Sequence, residues 1–111
     1  MHAVTETSIF SRRADALLSR DDRATLIDLL AFNPDAGSVI PGLGGIRKVR
    51  FAPAGRGKSG AFRVIYYFTA LNRPILALLI YAKNEQENIT PRQRDALLAL
   101  IAADKTERRA G

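Results

Sequence analysis

The 111-residue chain carries 17 Lys and Arg against 11 Asp and Glu, a net charge of +6, with 47% hydrophobic and 25% charged residues. A single domain over residues 1–111 with one core is the expectation, and the composition excludes collagen-like and disordered chains. The absence of cysteine excludes disulfides, zinc-thiolate sites and thiol nucleophiles, while the longest apolar run, residues 74–82, is far short of the roughly 20 residues that span a bilayer. The opening MHAVTETSIF has neither the basic nor the apolar region of a signal peptide, so a soluble, cytoplasmic protein is expected.

In chain order, Val4 sits in a short β-compatible opening, and Phe10, Ala14, Leu17 and Leu18 then recur at helical spacing, with Thr7 or Ser8 able to cap. Asp21 and Asp22 open a second helix whose face is Ala24, Ile27, Leu30 and Ala31, and Asn33-Pro34 ends it. Two short antiparallel helices are the simplest arrangement. NPDAGSVIPGLGG, residues 33–45, is a turn-rich connection.

Three strand-like runs follow, at residues 46–52, 61–70 and 75–82. In the first, period-two alternation sends Arg47, Val49 and Phe51 to one face and Ile46, Lys48 and Arg50 to the other. In the second, Phe62, Val64, Tyr66 and Phe68 form an apolar face to pack on the helices, which leaves Arg63, Ile65 and Tyr67 opposite. The third, ILALLIYA, is apolar nearly throughout and is predicted to be the central strand, ending at Tyr81 and Lys83. Thr90-Pro91-Arg92-Gln93 is a capping box opening a last helix that docks through Leu97, Leu98 and Ile101, with a flexible tail from about residue 104 to 111.

Charge is segregated along the chain. Residues 1–35 hold four bases and six acids, residues 36–84 eight and none, and residues 85–111 five and five. A basic, acid-free middle is the footprint of a polyanion: nucleic acid first, an anionic membrane second, an acidic protein third, with a merely solvated basic face as the alternative.

Residues 52–59, APAGRGKS, satisfy a relaxed phosphate-loop pattern, but a strand follows where the nucleotide loop requires a helix N-terminus. No metal or cofactor site is indicated, because the only histidine is His2, at the terminus, and no carboxylates fall at ligand spacing. A Ser-His-Asp arrangement fails for the same reason. What remains is Arg47, Lys48, Arg50, Arg56, Lys58, Arg63 and Lys83, interleaved with Tyr66, Tyr67 and Tyr81. Such cations can neutralise RNA phosphates while rings stack on bases. They can also assist cleavage, since the RNA 2′-hydroxyl is a built-in nucleophile that needs orientation, charge stabilisation and proton transfer. Tyr66 reads as core, Tyr67 equally as core or stacking ring, Tyr81 equally as a stacking ring or as a ring in the core with its hydroxyl at the edge, and Arg47 and Lys48 equally as solvated strand residues.

DAGSVIPGLGGIRKVRFAPAGRGKSGAFRVIYYF and LLIYAKNEQENIT, within residues 35–90, resemble the RelE superfamily of bacterial toxins, on its HigB-like branch. The resemblance implies an α+β fold, a small antiparallel sheet packed against an N-terminal helical hairpin and a C-terminal helix. It implies the toxin of a type II toxin-antitoxin system, a metal-independent messenger RNA endoribonuclease acting at the ribosome by 2′-hydroxyl attack. By position, it assigns catalysis to Arg56, Lys58, Arg63 and Lys83, and RNA binding falls to Arg47, Lys48, Arg50, Tyr67 and Tyr81. Where some members carry an arginine and a stacking tyrosine after the last strand, this chain has Asn84 and Thr90, leaving Lys58, Lys83 and Glu85 as candidates for proton transfer. The implied partners are messenger RNA, the ribosome and a cognate antitoxin of helix-turn-helix type, through which alone operator DNA is met; no membrane is involved. A gyrase-inhibiting toxin of the ParE-like branch and a non-enzymatic basic RNA- or partner-binding module are the alternatives.

Overall fold

Thr7 joins two elements at the start of the chain. Its side-chain oxygen accepts from the Phe10 amide and caps α1 (Ser8–Leu17), and its hydroxyl donates to the Leu78 carbonyl, which ties β1 (Val4–Glu6) to β5 (Ile75–Ala82). The computed structural model describes residues 1–53, 61–70 and 72–110, apart from the side chains of 107–110. After Leu18, Ser19 caps α2 (Arg20–Phe32) by accepting from the Asp22 amide, with Asp21 and Asp22 in the first turn, where the helix dipole favours acids. α2 ends at Asn33, before Pro34.

The buried side of α2 is Leu26, Leu30 and Ala31; Ala24 is exposed, so the stripe is turned about one residue from the expected one because the larger leucines take the core positions. His2 is likewise held: its amide donates to the Ala31 carbonyl and its ring meets Phe68 edge-on at 5.0 Å.

The remaining strands are β2 (Ser38–Val39), β3 (Ile46–Phe51) and β4 (Phe62–Tyr67), and the sheet order is β1-β5-β4-β3-β2. β2–β3, β3–β4 and β4–β5 are antiparallel, but β1 joins β5 in parallel, so the sheet is mixed rather than purely antiparallel. The middle strand is β4, not β5. β5 is apolar because both its faces are covered, which requires two packed layers and not a central position. The edge strands have three and two residues, short enough to offer little to an unwanted partner.

One face of the sheet packs on α1 and α2 through Phe51, Phe62, Val64, Tyr66, Ile75 and Ile80 against Phe10, Leu26 and Leu30. The other face carries Ile46, Ile65, Tyr67, Leu78, Leu79 and Tyr81 and receives Leu97 and Ile101 from α3 (Pro91–Ala110). Burial of Leu97 and Ile101, both 4% exposed, contributes about 1.5–3 kcal/mol each and seats α3. Its start is the expected capping box: the Gln93 amide donates to Thr90 Oγ1 (3.1 Å) and the Thr90 amide to Gln93 Oε1 (2.9 Å). α3 runs to Ala110, with Arg73 paired to Asp104.

β5 contains a bulge. Ile65 pairs with Leu79 and Tyr66 with Ala77, so Leu78 is the extra residue. Side-chain phase therefore reverses: Ile75 and Ala77 face α1 and α2, whereas Leu79 and Tyr81 face the α3 side. Thr7 meets the sheet here, donating from its amide to Ala77 O (3.0 Å) and from its hydroxyl to Leu78 O (3.1 Å). The bulge turns Tyr81 onto the face that carries Arg63.

Candidate nucleic-acid interface

Strand register places two rows across β3, β4 and β5 on the α3 side. One is Lys48–Ile65–Leu79 and the other Arg50–Arg63–Tyr81. Arg50 and Arg63 are directly opposed, and like charges in that position oppose folding. Arg63 Nη1 is buried without a hydrogen-bond partner, as is the Tyr81 hydroxyl across from it. Burial pushes the Tyr81 phenol up, and the Arg63 charge pulls it back down. Two buried polar groups left unsatisfied side by side are unfavourable, and an anion accepting from both would relieve the cost.

The expected site residues divide by face. Lys48, Arg50 and Arg63 share the α3 side, and strand alternation assigns Lys83 to the face of Tyr81; its amide donates to the Ala61 carbonyl (3.3 Å) and its side chain is exposed. Arg47 is not with them. It lies on the opposite face, where its Nη1 donates to the Gly37 carbonyl (2.7 Å) beside Tyr66. Tyr66 accepts from the Gly37 amide and donates to Pro34 O, both at 2.8 Å. Burial raises its phenol, with the Gly37 bond and Arg47 charge acting in the other direction. Tyr66 is a core residue, as read from the sequence.

Tyr67 and Tyr81, expected to stack on bases, are 3% and 0% exposed and belong to the core against α3. Neither ring presents a free face, and the Tyr81 hydroxyl is itself buried. Arg56 and Lys58 fall in residues 54–60, outside the described residues.

Glu85 points to α1. Its Oε1 accepts from the Ala82 amide (2.8 Å) and pairs with Arg13, which also donates to the Ile80 carbonyl. Burial works to raise its carboxyl, but the Ala82 amide and the Arg13 guanidinium together hold it below the ordinary range. A carboxylate so stabilised is a poor proton acceptor.

A cleft of about 320 Å³ beside the cation rows is lined by Ile40, Lys48, Tyr81, Asn88, Ile89 and Arg94, among others. The sequence reading missed Asn88 and Arg94. A usable signal was present for Arg94, since positions 94, 97 and 101 share one side of a helix, and Leu97 and Ile101 were expected to dock. For Asn88, in a connection, no pattern was available.

Lys48, Arg50, Arg63, Lys83 and Arg94 make no ion pair among the described residues, whereas Arg13, Arg23 and Arg73 do. The acids of the first 35 residues sit on or beside β1, α1 and α2, where Arg23 joins Glu6 to Asp15. Among the described residues no helix is long and apolar enough to cross a membrane.

The model of the family described as the RelE toxin of the RelE/RelB toxin-antitoxin system matches residues 35–109. Among solved structures, the chain is similar to a double arginine mutant of E. coli toxin RelE in the free state, with a TM-score of 0.55 and 11% identity over 78% of this chain and 87% of that one. The likeness extends the agreement to the fold, with its α+β sheet and flanking helices. A match over residues 35–109 spans both cation rows and the α3 wall, and the chain belongs to the RelE toxin family of toxin-antitoxin systems.

Proposed function

We propose that this toxin, of the HigB-like branch, is a cytoplasmic, metal-independent endoribonuclease that cuts messenger RNA in the ribosome. The observation that supports this reading most is Arg63, whose buried, unpartnered Nη1 sits in a cation row on the face away from the acidic helices. A phosphodiester placed there gains charge neutralisation where charge grows in the transition state.

The reaction balances on RNA and side chains alone. The 2′-oxygen attacks phosphorus as a base takes its proton, the bond to the 5′-oxygen breaks, and an acid protonates that leaving oxygen. The products are a 2′,3′-cyclic phosphate and a 5′-hydroxyl. Arg63 stabilises the phosphorane, and Arg50 and Lys48 hold flanking phosphates. Lys83, with Arg56 and Lys58 by resemblance, completes the catalytic group; proton transfer falls to Lys83 or Lys58, because Glu85 is committed to Arg13 and the Ala82 amide.

The cognate antitoxin, of helix-turn-helix type, would neutralise the toxin by laying an acidic or mixed segment over the cation rows and would carry the pair to operator DNA. Incubation with programmed ribosomes in excess EDTA tests the reading. Cyclic-phosphate ends on the message are expected. Intact message together with gyrase inhibition would replace this function with that of the ParE-like branch.

A further inference from the structure

The acid nearest in sequence to the cation rows is Glu85, two residues after Lys83. Both lie on the turn that follows β5: the Glu85 amide donates to the Ala82 carbonyl (3.1 Å), which makes Lys83 and Asn84 the central residues of that turn. Such a turn spans less than about 7 Å, short enough for the long side chains of Lys83 and Glu85 to meet as an ion pair. In the structure they do not meet. Glu85 Oε1 accepts from the Ala82 amide (2.8 Å) and pairs with Arg13 of α1, while the Lys83 side chain is exposed and makes no ion pair among the described residues. Arg13 is itself fixed, because its Nε donates to the Ile80 carbonyl (2.5 Å). β1 pairs with β5 only as far as Ala77, so this carbonyl lies beyond the end of β1 and is met by α1 instead.

We propose that Arg13 and Glu85 are positioning residues for Lys83: by holding the carboxylate on the α1 side of the sheet, Arg13 keeps Lys83 an unneutralised cation on the face that meets RNA. The inference rests on the RNA reading above and deepens it, because it adds to the site a residue of the helical layer that touches no RNA. The Ala82 amide and Arg13 share one carboxylate oxygen, so the same contact that withdraws the acid also fixes the turn bearing Lys83. Glu87, the other acid of this connection, is exposed and four residues from Lys83, and it provides the control.

Cleavage of message on programmed ribosomes by the full-length chain and its variants tests this. Arg13→Gln releases Glu85 and should lower kcat about tenfold or more while KM stays within about twofold, as loss of a group acting in the transition state does. Adding Glu85→Gln removes the released charge and should bring the rate back to within about threefold of the parent, whereas adding Glu87→Gln should restore nothing. Thermal melts of Arg13→Gln and of its combination with Glu85→Gln should coincide, since both have lost the same ion pair. A link that only braces α1 against β5 would leave the double variant as slow as the single one. That result, an Arg13→Gln chain as fast as the parent, or rescue by Glu87→Gln, overturns the proposal.

Binding of a 2′-O-methyl oligonucleotide keeps this test separate from the nuclease reading. Arg13→Gln should lower the slope of log affinity against log salt by about 0.7, the loss of one phosphate contact on a single strand, and the combination with Glu85→Gln should recover it. A chain that shows this pattern yet leaves message whole keeps the positioning role and loses the nuclease reading. A chain that cuts message without rescue in the double variant does the reverse, and one that neither binds nor cuts overturns both.

Discussion

Arg63 and Tyr81 face each other across β4 and β5, and each holds a buried polar atom that nothing among the described residues satisfies. Such a pair destabilises the free protein and favours whatever anion accepts from it. Stability and function should therefore move in opposite directions when either group is removed.

Tyr81→Phe deletes the hydroxyl and keeps the ring. Urea unfolding should show stability unchanged or raised by up to about 1 kcal/mol, because a buried group without a partner is lost. Affinity for RNA should fall. A large drop in stability would mean that the hydroxyl has a partner in solution.

Arg63→Ala should reduce RNA cleavage about a hundredfold or more, the scale seen when a group that stabilises transition-state charge is removed. The same variant relieves the opposition of Arg50 and Arg63, so its unfolding midpoint should not fall by more than a core truncation of that size would cause. Circular dichroism melts beside a growth assay measure both.

The two faces of β3 should separate in salt. With a 2′-O-methyl oligonucleotide that cannot be cut, Lys48→Ala and Arg50→Ala should each lower the slope of log affinity against log salt by about 0.7. Arg47→Ala should leave the slope unchanged and cost stability, since its bond is to the Gly37 carbonyl.

Gly37 itself should tolerate no side chain. A Cβ there would lie 2.8 Å from the Lys48 carbonyl oxygen and 2.9 Å from the Tyr66 ring. Gly37→Ala should destabilise the fold by about 1–3 kcal/mol, measured by chemical denaturation, because backbone on one side cannot yield.

Acid should act through Glu6 and Glu85. Both carboxyls are lowered from the ordinary 4.5, Glu6 chiefly by its hydrogen bond with Arg23 against a desolvation cost. A depressed carboxyl contributes stability that is fully present above about pH 4.5 and is lost as pH falls through the lower folded value. Thermal melts should hold steady above pH 5 and decline below 4.5, and Glu6→Gln should flatten that decline. A variant as acid-sensitive as the parent would remove Glu6 from the account.

Strand phase was legible where alternation is simple. Arg47 parts from Lys48 and Arg50 because β3 has no irregularity, and Phe62, Val64 and Tyr66 face the helices for the same reason. β5 hid its geometry, because ILALLIYA is apolar nearly throughout and a one-residue shift of phase leaves no trace in the pattern. The parallel pairing of β1 was hidden by its length, three residues. Arg63 is legible as a lone charge between Phe62 and Val64, whereas Asn88 became visible only once the β5–α3 connection and β3 came together around a cleft.

The separation of charge between the two sides of the sheet also bears on encounter rates. A polyanion approaching from the α1 and α2 side meets Asp21, Asp22 and Asp28, and from the other side Lys48, Arg50 and Arg63. With a net charge of +6 the molecule is drawn to any polyanion at a distance, and within about 10 Å at 0.1 M salt this asymmetry turns it before contact. Collisions are thereby sorted by orientation, so that the face bearing Arg63 arrives first.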